Sequence, residues 1–483
     1  MKKLDIGVIG MAVMGQNLVL NMSDHGFKVA VYNRTAARMK EFILGRAAGR
    51  EIHGVETLEE LVSLLGKPRV IMLMIKAGQP VDLTINTLKP LLDPGDIIID
   101  GGNSYFKDTI RRTRDLEAEG FCYIGTGISG GELGARRGPS ITPGGSHAAW
   151  PVVQPILQGI AAKLDDGSPT CEWMGTDGAG HYVKMVHNGI EYGFMQMIAE
   201  TYHLMKDVLE MGYDQMADVF KKWNKGKLES FLVEITGDIL AFRDETKDTL
   251  VPKILDAAGQ KGTGRWTSES ALEMGIPLTL VTEAVFARAL SALKEERLQA
   301  AKYLPTPESK FDGDPAAFTQ DLENALYLAE ILSYSQGFML FREAAGEYNW
   351  ELNYQDIANV WRKGCIIRSA LLTHIRDAYR NKSGLENLLF DPFFLEKVRM
   401  YIPGLRRVIN QAVTTGIPVP TFGAALSFLD GYRSGTLPAN LIQAQRDYFG
   451  SHTYERVDAE RGEFFHTDWT GEGGDVTASS YNA

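Results

Sequence analysis

Apolar residues run through positions 4–9, give way to Gly10-Met-Ala-Val-Met-Gly15, and return as an apolar-rich segment over 17–23 and a second run over 27–32. Short runs with β-branched residues predict buried strands, and the segment between them predicts a helix that stops near Gly26. Strand-like runs recur at 69–75, 96–100, 121–125 and 140–142, with helical segments between. Such alternation predicts a parallel or mixed sheet covered on both faces. From about Gly178 the alternation stops. A helical period then holds to about residue 434, for example over 183–210, 215–224, 279–301 and 321–345. Positions 437–449 predict one more helix, followed by a Gly/Thr/Ser-rich end that cannot build a core of its own. The expected domains are therefore an α/β unit over 1–178, an all-α unit over 179–434, and a C-terminal helix and tail over 435–483.

One helix breaks the usual pattern. Lys184, His187, Asn188, Glu191 and Tyr192 fall at i, i+3, i+4, i+7 and i+8, a single stripe that is normally apolar. Val183, Val186, Ile190, Phe194 and Met197 lie beside it and can bury the helix. The polar stripe is either a solvated face or the wall of a cleft.

A diverged repeat bears on that choice. Tyr213-Asp-Gln-Met-Ala217-Asp-Val219-Phe-Lys-Lys222 resembles Tyr354-Gln-Asp-Ile-Ala358-Asn-Val360-Trp-Arg-Lys363, 141 positions on, and Gly193-Phe-Met195 recurs as Gly337-Phe-Met339, 144 positions on. Shifted by 144, the stripe becomes Leu328, Ile331, Leu332, Ser335 and Gln336. Where one copy has mostly core residues, the other has ionisable ones, which favours the cleft wall.

Composition narrows the class. A chain of 483 residues exceeds one compact core. A net charge of −11 argues against a general nucleic-acid or anionic-membrane binder. Cys122, Cys171 and Cys365 are scattered and odd in number, which fits a reducing, cytoplasmic setting rather than a disulfide framework or a cysteine metal site. No Asp/Glu cluster offers a metal site either. No apolar run reaches the roughly 18 residues of a membrane span, and Asp5 interrupts the only run that resembles a signal peptide.

The glycine motif sits between a strand and a helix, the setting a dinucleotide fingerprint requires, with Ala12 in place of its middle glycine. This is a Rossmann-type reading: backbone N–H groups at the helix start can meet a pyrophosphate. The second strand ends in Asn33-Arg34-Thr35 rather than an acid, which suits the 2′-phosphate of NADP better than the ribose of NAD. Three further loops follow strands on the same expected edge: Lys76-Ala77-Gly78, Asp100-Gly-Gly-Asn103-Ser104 and Gly127-Ile-Ser129-Gly130-Gly131-Glu132. Lys261, in the turn Gly259–Gly264, and Arg288, within an apolar helix, are candidates for an anion or for structural salt bridges.

Together these segments, with Gln445-Arg446-Asp-Tyr-Phe-Gly450, closely resemble the 6-phosphogluconate dehydrogenase family over essentially the whole chain. The resemblance implies oxidative decarboxylation of 6-phosphogluconate to ribulose 5-phosphate with NADP, in a cytoplasmic homodimer whose tail completes the neighbour's site. It makes Lys184 the general base and Glu191 the acid. Asn103, Ser129, Gly130, Gly131, His187, Asn188, Tyr192, Lys261 and Arg288 become substrate contacts, joined by Arg446 and His452 from the other subunit. Gly10, Met11, Ala12, Val13, Met14, Gly15, Asn33, Arg34, Thr35, Ile75, Lys76, Ala77 and Asn103 become cofactor contacts. Met11, Tyr105 and Thr142 depart from the family's usual residues without removing a functional group. A β-hydroxyacid dehydrogenase for a small non-phosphorylated acid, or a nucleotide-binding sensor, would share the fingerprint. Neither needs Lys261, Arg288 and Arg446 together, and a sensor gains nothing from a base and an acid on one helix.

Overall fold

The computed structural model describes residues 3–307, 309–471 and 473. They form two compact units, one ending at Ala425 and one beginning at Leu426. The first unit opens with seven strands: β1 (Ile6–Ile9), β2 (Val29–Tyr32), β3 (Ile52–Val55), β4 (Val70–Leu73), β5 (Ile97–Asp100), β6 (Cys122–Ile128) and β7 (Ile141–Gly145). Their order is β3-β2-β1-β4-β5-β6-β7, parallel except for β7, which runs antiparallel to β6. Val70 and Met72 enter one apolar core, Ile71 and Leu73 the other. Burial on both faces is why these strands read as unbroken apolar runs rather than as alternation.

Two elements differ from expectation. β3 is absent from the sequence reading because Ile52-His-Gly-Val55 has only two buried residues and pairs on one side alone. The helix expected over 279–301 is two, Thr279–Ala292 and Lys294–Tyr303, broken at Leu293, whose backbone leaves the helical region at ψ 45°. Among the described residues no helix is long and apolar enough to cross a membrane.

The helical part is visibly duplicated. Ala179–Asp207, Tyr213–Trp223 and Phe231–Ala241 recur in order as Pro315–Tyr348, Tyr354–Val360 and Leu371–Asn381. The two long helices cross where they carry glycine: a Cβ on Gly193 would lie 3.2 Å from Ser333 Oγ, and one on Gly337 2.7 Å from Ile190 Cδ1. Ser230 pairs with its counterpart Ser369 in an isolated antiparallel bridge, Phe231 N donating to Arg368 O at 3.0 Å and Ala370 N to Glu229 O at 2.9 Å. Equivalent residues of the two copies thus meet each other, as they do about a pseudo-two-fold axis.

The second long helix buries Glu330, at 1% exposure, with neither carboxyl oxygen hydrogen-bonded. Burial raises its pKa to about 8, and the nearby Ser369 hydroxyl only partly opposes this. The folded state then holds a proton that the unfolded chain has released above its ordinary value of 4.5. The stability this contributes is complete below that value and is lost as pH rises to about 8, by at most about 1.4 kcal/mol per pH unit. Glu330→Gln, which cannot ionise, should show a flatter dependence in chemical denaturation between pH 5 and 8. Parallel curves for the two proteins would disprove this.

Candidate active site

The helix Ala179–Asp207 carries the polar stripe, and glycines let its first turns touch the sheet. A Cβ on Gly180 would stand 2.4 Å from Gly125 O, and one on Gly127 would stand 2.3 Å from Lys184 Cβ and 2.6 Å from its Cγ. Helix and strand are therefore in backbone-level contact, and the Lys184 stem lies across β6 where β6 has no side chain. Gly127→Ala must displace either the Lys184 stem or the strand. Overpacking of this kind costs about 1–3 kcal/mol. Displacing the Lys184 amine by a fraction of an ångström should slow turnover by about tenfold or more. A thermal melt and a kcat measurement check both, and an unchanged kcat would show that the contact is not positional.

The stripe is largely withdrawn from solvent, Glu191 being its one partly exposed member, with a side chain 21% exposed. Lys184 is 8% exposed, His187 0%, Asn188 9% and Tyr192 7%. Lys184 Nζ donates to Ser129 Oγ at 3.1 Å and lies 3.3 Å from His187 Nδ1. His187 Nε2 lies 3.2 Å from Ser129 Oγ, and its Nδ1 lies 3.1 Å from Asn188 Oδ1 and 3.8 Å from a Glu191 oxygen. Trp361 packs edge-on against the imidazole at 5.6 Å. Beyond Glu191, the Arg288 guanidinium lies 3.4 Å above the Tyr192 ring centroid and donates to Gly259 O. Gly264 makes room for that ring, since a Cβ there would come within 2.5 Å of it.

This cluster sets its own protonation. Burial lowers the pKa of Lys184, against the pull of the Glu191 carboxylate. Burial raises that of Glu191, opposed by Lys184 and Arg288. Burial, reinforced by Lys184, holds His187 well below its ordinary value. The imidazole held neutral in this way puts no like-charge pressure on Lys184; desolvation does the work. Each shift favours the neutral form, so burial pushes the amine towards a base and the carboxyl towards an acid on one helix face.

The candidates from the first 131 residues lie on the carboxyl edge of the sheet. Gly10–Gly15 follow β1, where a Cβ on Gly10 would meet Met74 O at 2.4 Å and one on Gly15 would meet Gly10 O at 2.0 Å. The helix that begins there, Val13–Asp24, has no side-chain cap and no acidic residue in its first turn. Its open N–H groups and close backbone fit a dinucleotide pyrophosphate. Asn33 braces this loop: its Oδ1 accepts from Met11 N at 2.9 Å and its Nδ2 donates to Thr35 O at 2.9 Å. The sequence suggests a phosphate donor at Asn33, whereas here its amide is engaged by the backbone. Arg34 and Thr35 are exposed beside it. Ile75, Lys76 and Ala77 follow β4. Asn103 is exposed after β5, in a loop held by Asp100, which accepts from Gly102 N, Ser104 Oγ and Tyr123 Oη. Ser129, Gly130 and Gly131 follow β6, and Gly130, at φ +99°, sits against Gly364 O, where a side chain would clash. Lys261 is exposed in its turn. Arg446 and His452 lie in the second unit.

Sequence reasoning overlooked Gly180, Trp361 and Cys365, whose Sγ donates to Trp361 O at 3.0 Å, and read Gly127 only as a loop glycine. The alternate glycines Gly125 and Gly127 within an otherwise apolar strand were a usable signal for close approach. Nothing local marks Trp361 or Cys365, which arrive from the second copy of the repeat.

Two family profiles cover nearly the whole chain: "NAD binding domain of 6-phosphogluconate dehydrogenase" over residues 5–175 and "6-phosphogluconate dehydrogenase, C-terminal domain" over residues 180–469. The chain belongs to the 6-phosphogluconate dehydrogenase family. Among members of that family, the decarboxylating 6-phosphogluconate dehydrogenase of Ovis aries is 58% identical over 484 residues, covering 100% of both chains. That of Schizosaccharomyces pombe is 56% identical over 486 residues, covering 99% of both. A 6-phosphogluconate dehydrogenase of Plasmodium falciparum, described in apo form, with NADP+ and with its substrate 6-phosphogluconate, aligns at a TM-score of 0.93 and 45% identity. That alignment covers 96% of this chain and 100% of the other.

Proposed function

We propose that the chain oxidises and decarboxylates 6-phosphogluconate to ribulose 5-phosphate and CO2, with Lys184 handling oxygen-bound protons and Glu191 the carbon-bound one. The observation that carries this reading is the buried Lys184–Ser129–His187 cluster with Glu191 on the same stripe. NADP, when bound along Gly10–Gly15 and Asn33–Thr35, supplies the hydride acceptor.

Lys184 begins as the neutral amine and takes the proton of the C3 hydroxyl as C3 is oxidised. The resulting 3-keto acid loses its C1 carboxylate as CO2. The Lys184 ammonium returns the proton to the C3 oxygen, so the electrons of the breaking C1–C2 bond settle in a C2–C3 enediol. Glu191 then protonates C2 while Lys184 takes back the proton from the C3 oxygen, leaving the ketone. Passing that proton from the ammonium to the Glu191 carboxylate restores the starting pair. Ser129, His187, Asn188 and Asn103 orient the sugar acid. Lys261 and Arg288, with Arg446 from a second subunit, meet the phosphate.

A homodimer is supported by apolar surface that a lone copy leaves in water. The helix Lys294–Tyr303 has no buried residue, and Phe286, Leu290, Leu298 and Tyr303 are each at least 46% exposed. On the tail helix Leu441, Ile442, Tyr448 and Phe449 are similarly bare. We assign residues 1–178 to the cofactor, 179–434 to substrate and dimer contacts, and 435–483 to the neighbour's site. The unpaired cysteines support a cytoplasmic location. The deciding assay is CO2 release in step with NADPH formation, run on 6-phosphogluconate and on gluconate. NADPH without CO2, or equal rates on both acids, would overturn the reading in favour of a hydroxyacid dehydrogenase.

A further inference from the structure

Arg446 and His452 are six positions apart, one on a helix and one beyond its end, so an anion can use both only if something fixes their spacing. Gln443, Arg446 and Asp447 fall at i, i+3 and i+4 on the helix Ala439–Gly450 and share a face. Both ends of the Gln443 carboxamide are engaged. Its Nε2 donates to Thr453 O at 2.8 Å and to His452 O at 3.3 Å, and its Oε1 accepts from Arg446 Nη1 at 2.9 Å. One amide thus joins the Arg446 guanidinium to the backbone that carries His452. It occupies one of five guanidinium hydrogens and leaves the others for a ligand.

Two further contacts fix the same assembly. The Asp447 carboxylate, at 0% exposure, accepts from His466 Nδ1 at 2.8 Å, Thr467 N at 3.0 Å and Trp469 Nε1 at 2.8 Å. This fastens the segment that follows the hairpin of Tyr454–Glu455 and Phe464–Phe465 to the helix. The His452 ring lies over Gly450, where a Cβ would stand 2.8 Å from its Cδ2.

We propose that Gln443 is a positioning residue that holds Arg446 and His452 as one preformed anion-binding pair, with Asp447 clamping the returning segment to the same helix. The inference rests on the reading of Arg446 and His452 as substrate contacts. Side chains ordered before the ligand arrives lose less freedom on binding, which is worth about three- to tenfold in affinity per residue.

Gln443→Met in the full-length protein keeps the volume and removes both polar ends. It is expected to raise KM for 6-phosphogluconate by about tenfold, on the order expected for lost pre-organisation of two residues. KM for NADP and kcat should stay unchanged. The ratio of kcat/KM on 6-phosphogluconate to that on gluconate should fall by the same factor, a change that a general loss of structure does not produce. Gly450→Ala, which leaves Gln443 intact and displaces the His452 ring, should lower the ratio by about threefold through one residue only. Equal losses on both substrates, or a lower oligomer mass by light scattering with the ratio intact, would overturn the proposal. Arg446→Met runs alongside. If it leaves the ratio unchanged, Arg446 does not meet the phosphate and both readings fall. If it lowers the ratio while Gln443→Met does not, only the role of Gln443 falls.

Discussion

Replacing Lys184 by Met should lower turnover by roughly 10³- to 10⁴-fold and leave KM for NADP near that of the unaltered chain, the scale set by loss of a general acid–base group. Methionine keeps most of the stem that crosses β6 at Gly127, so the helix stays seated while the amine is lost. In the proposed mechanism one amine serves the C3 oxygen in oxidation and in decarboxylation, so NADPH formation and CO2 release should fall together in a single-turnover experiment. Turnover within tenfold of the unaltered chain would sink the mechanism. The proposed base is the neutral amine, and burial lowers the pKa of Lys184. The acid limb of the kcat/KM profile should therefore lie below the range of an ordinary lysine.

Glu191→Gln should slow overall turnover by roughly 10²- to 10³-fold, with a different signature. Glutamine keeps the size of the side chain beside Arg288 and cannot deliver a proton to carbon. Oxidation and CO2 loss can proceed to the enediol, so a burst of NADPH should precede a slow steady state. Burial keeps Glu191 protonated above the ordinary carboxyl range. Activity that needs the protonated acid is lost as pH rises through that raised value, so the variant should also lack this alkaline limb. In deuterated water the unaltered enzyme should place solvent deuterium on the new carbon stereospecifically, and the variant should lose that selectivity. A variant without a burst and with an intact alkaline limb would remove Glu191 from the carbon step.

Much of this was readable in the residues because the signals were periodic or local. The strands buried on both faces appeared as continuous apolar runs. Lys184 to Tyr192 appeared as a stripe because side chains at i, i+3 and i+4 share a helix face. What escaped was settled by distant partners. Ile52-His-Gly-Val55 is a strand because β2 lies beside it, not because its composition demands one. The depressed basicity of Lys184 was foreseeable from a buried cleft with His187 beside it, but the residues alone do not choose between desolvation and like-charge pressure as its cause. Whether an imidazole is charged depends on burial, which Ser129 and Trp361 supply from other parts of the chain. Asn33 reads as a free donor until its Nδ2 is found donating to Thr35 O.

The doubled helical unit has a consequence for how such a site can arise. In the second long helix the equivalent stripe is filled by Leu328, Ile331 and Leu332, all fully buried. Its twin meets it through Val186, Ile190 and Gly193, which lie off the polar stripe, so the crossing of the two helices does not depend on that stripe. Its own stripe is then free to exchange hydrocarbon for ionisable groups without dissolving the bundle. The exchange is productive only where the sheet supplies Ser129 and Gly127 opposite. Grafting Lys, His, Asn and Glu onto 328–335 would bury charges against apolar neighbours and create no second centre. Symmetry in the scaffold and asymmetry in its surroundings together confine the chain to one reaction site.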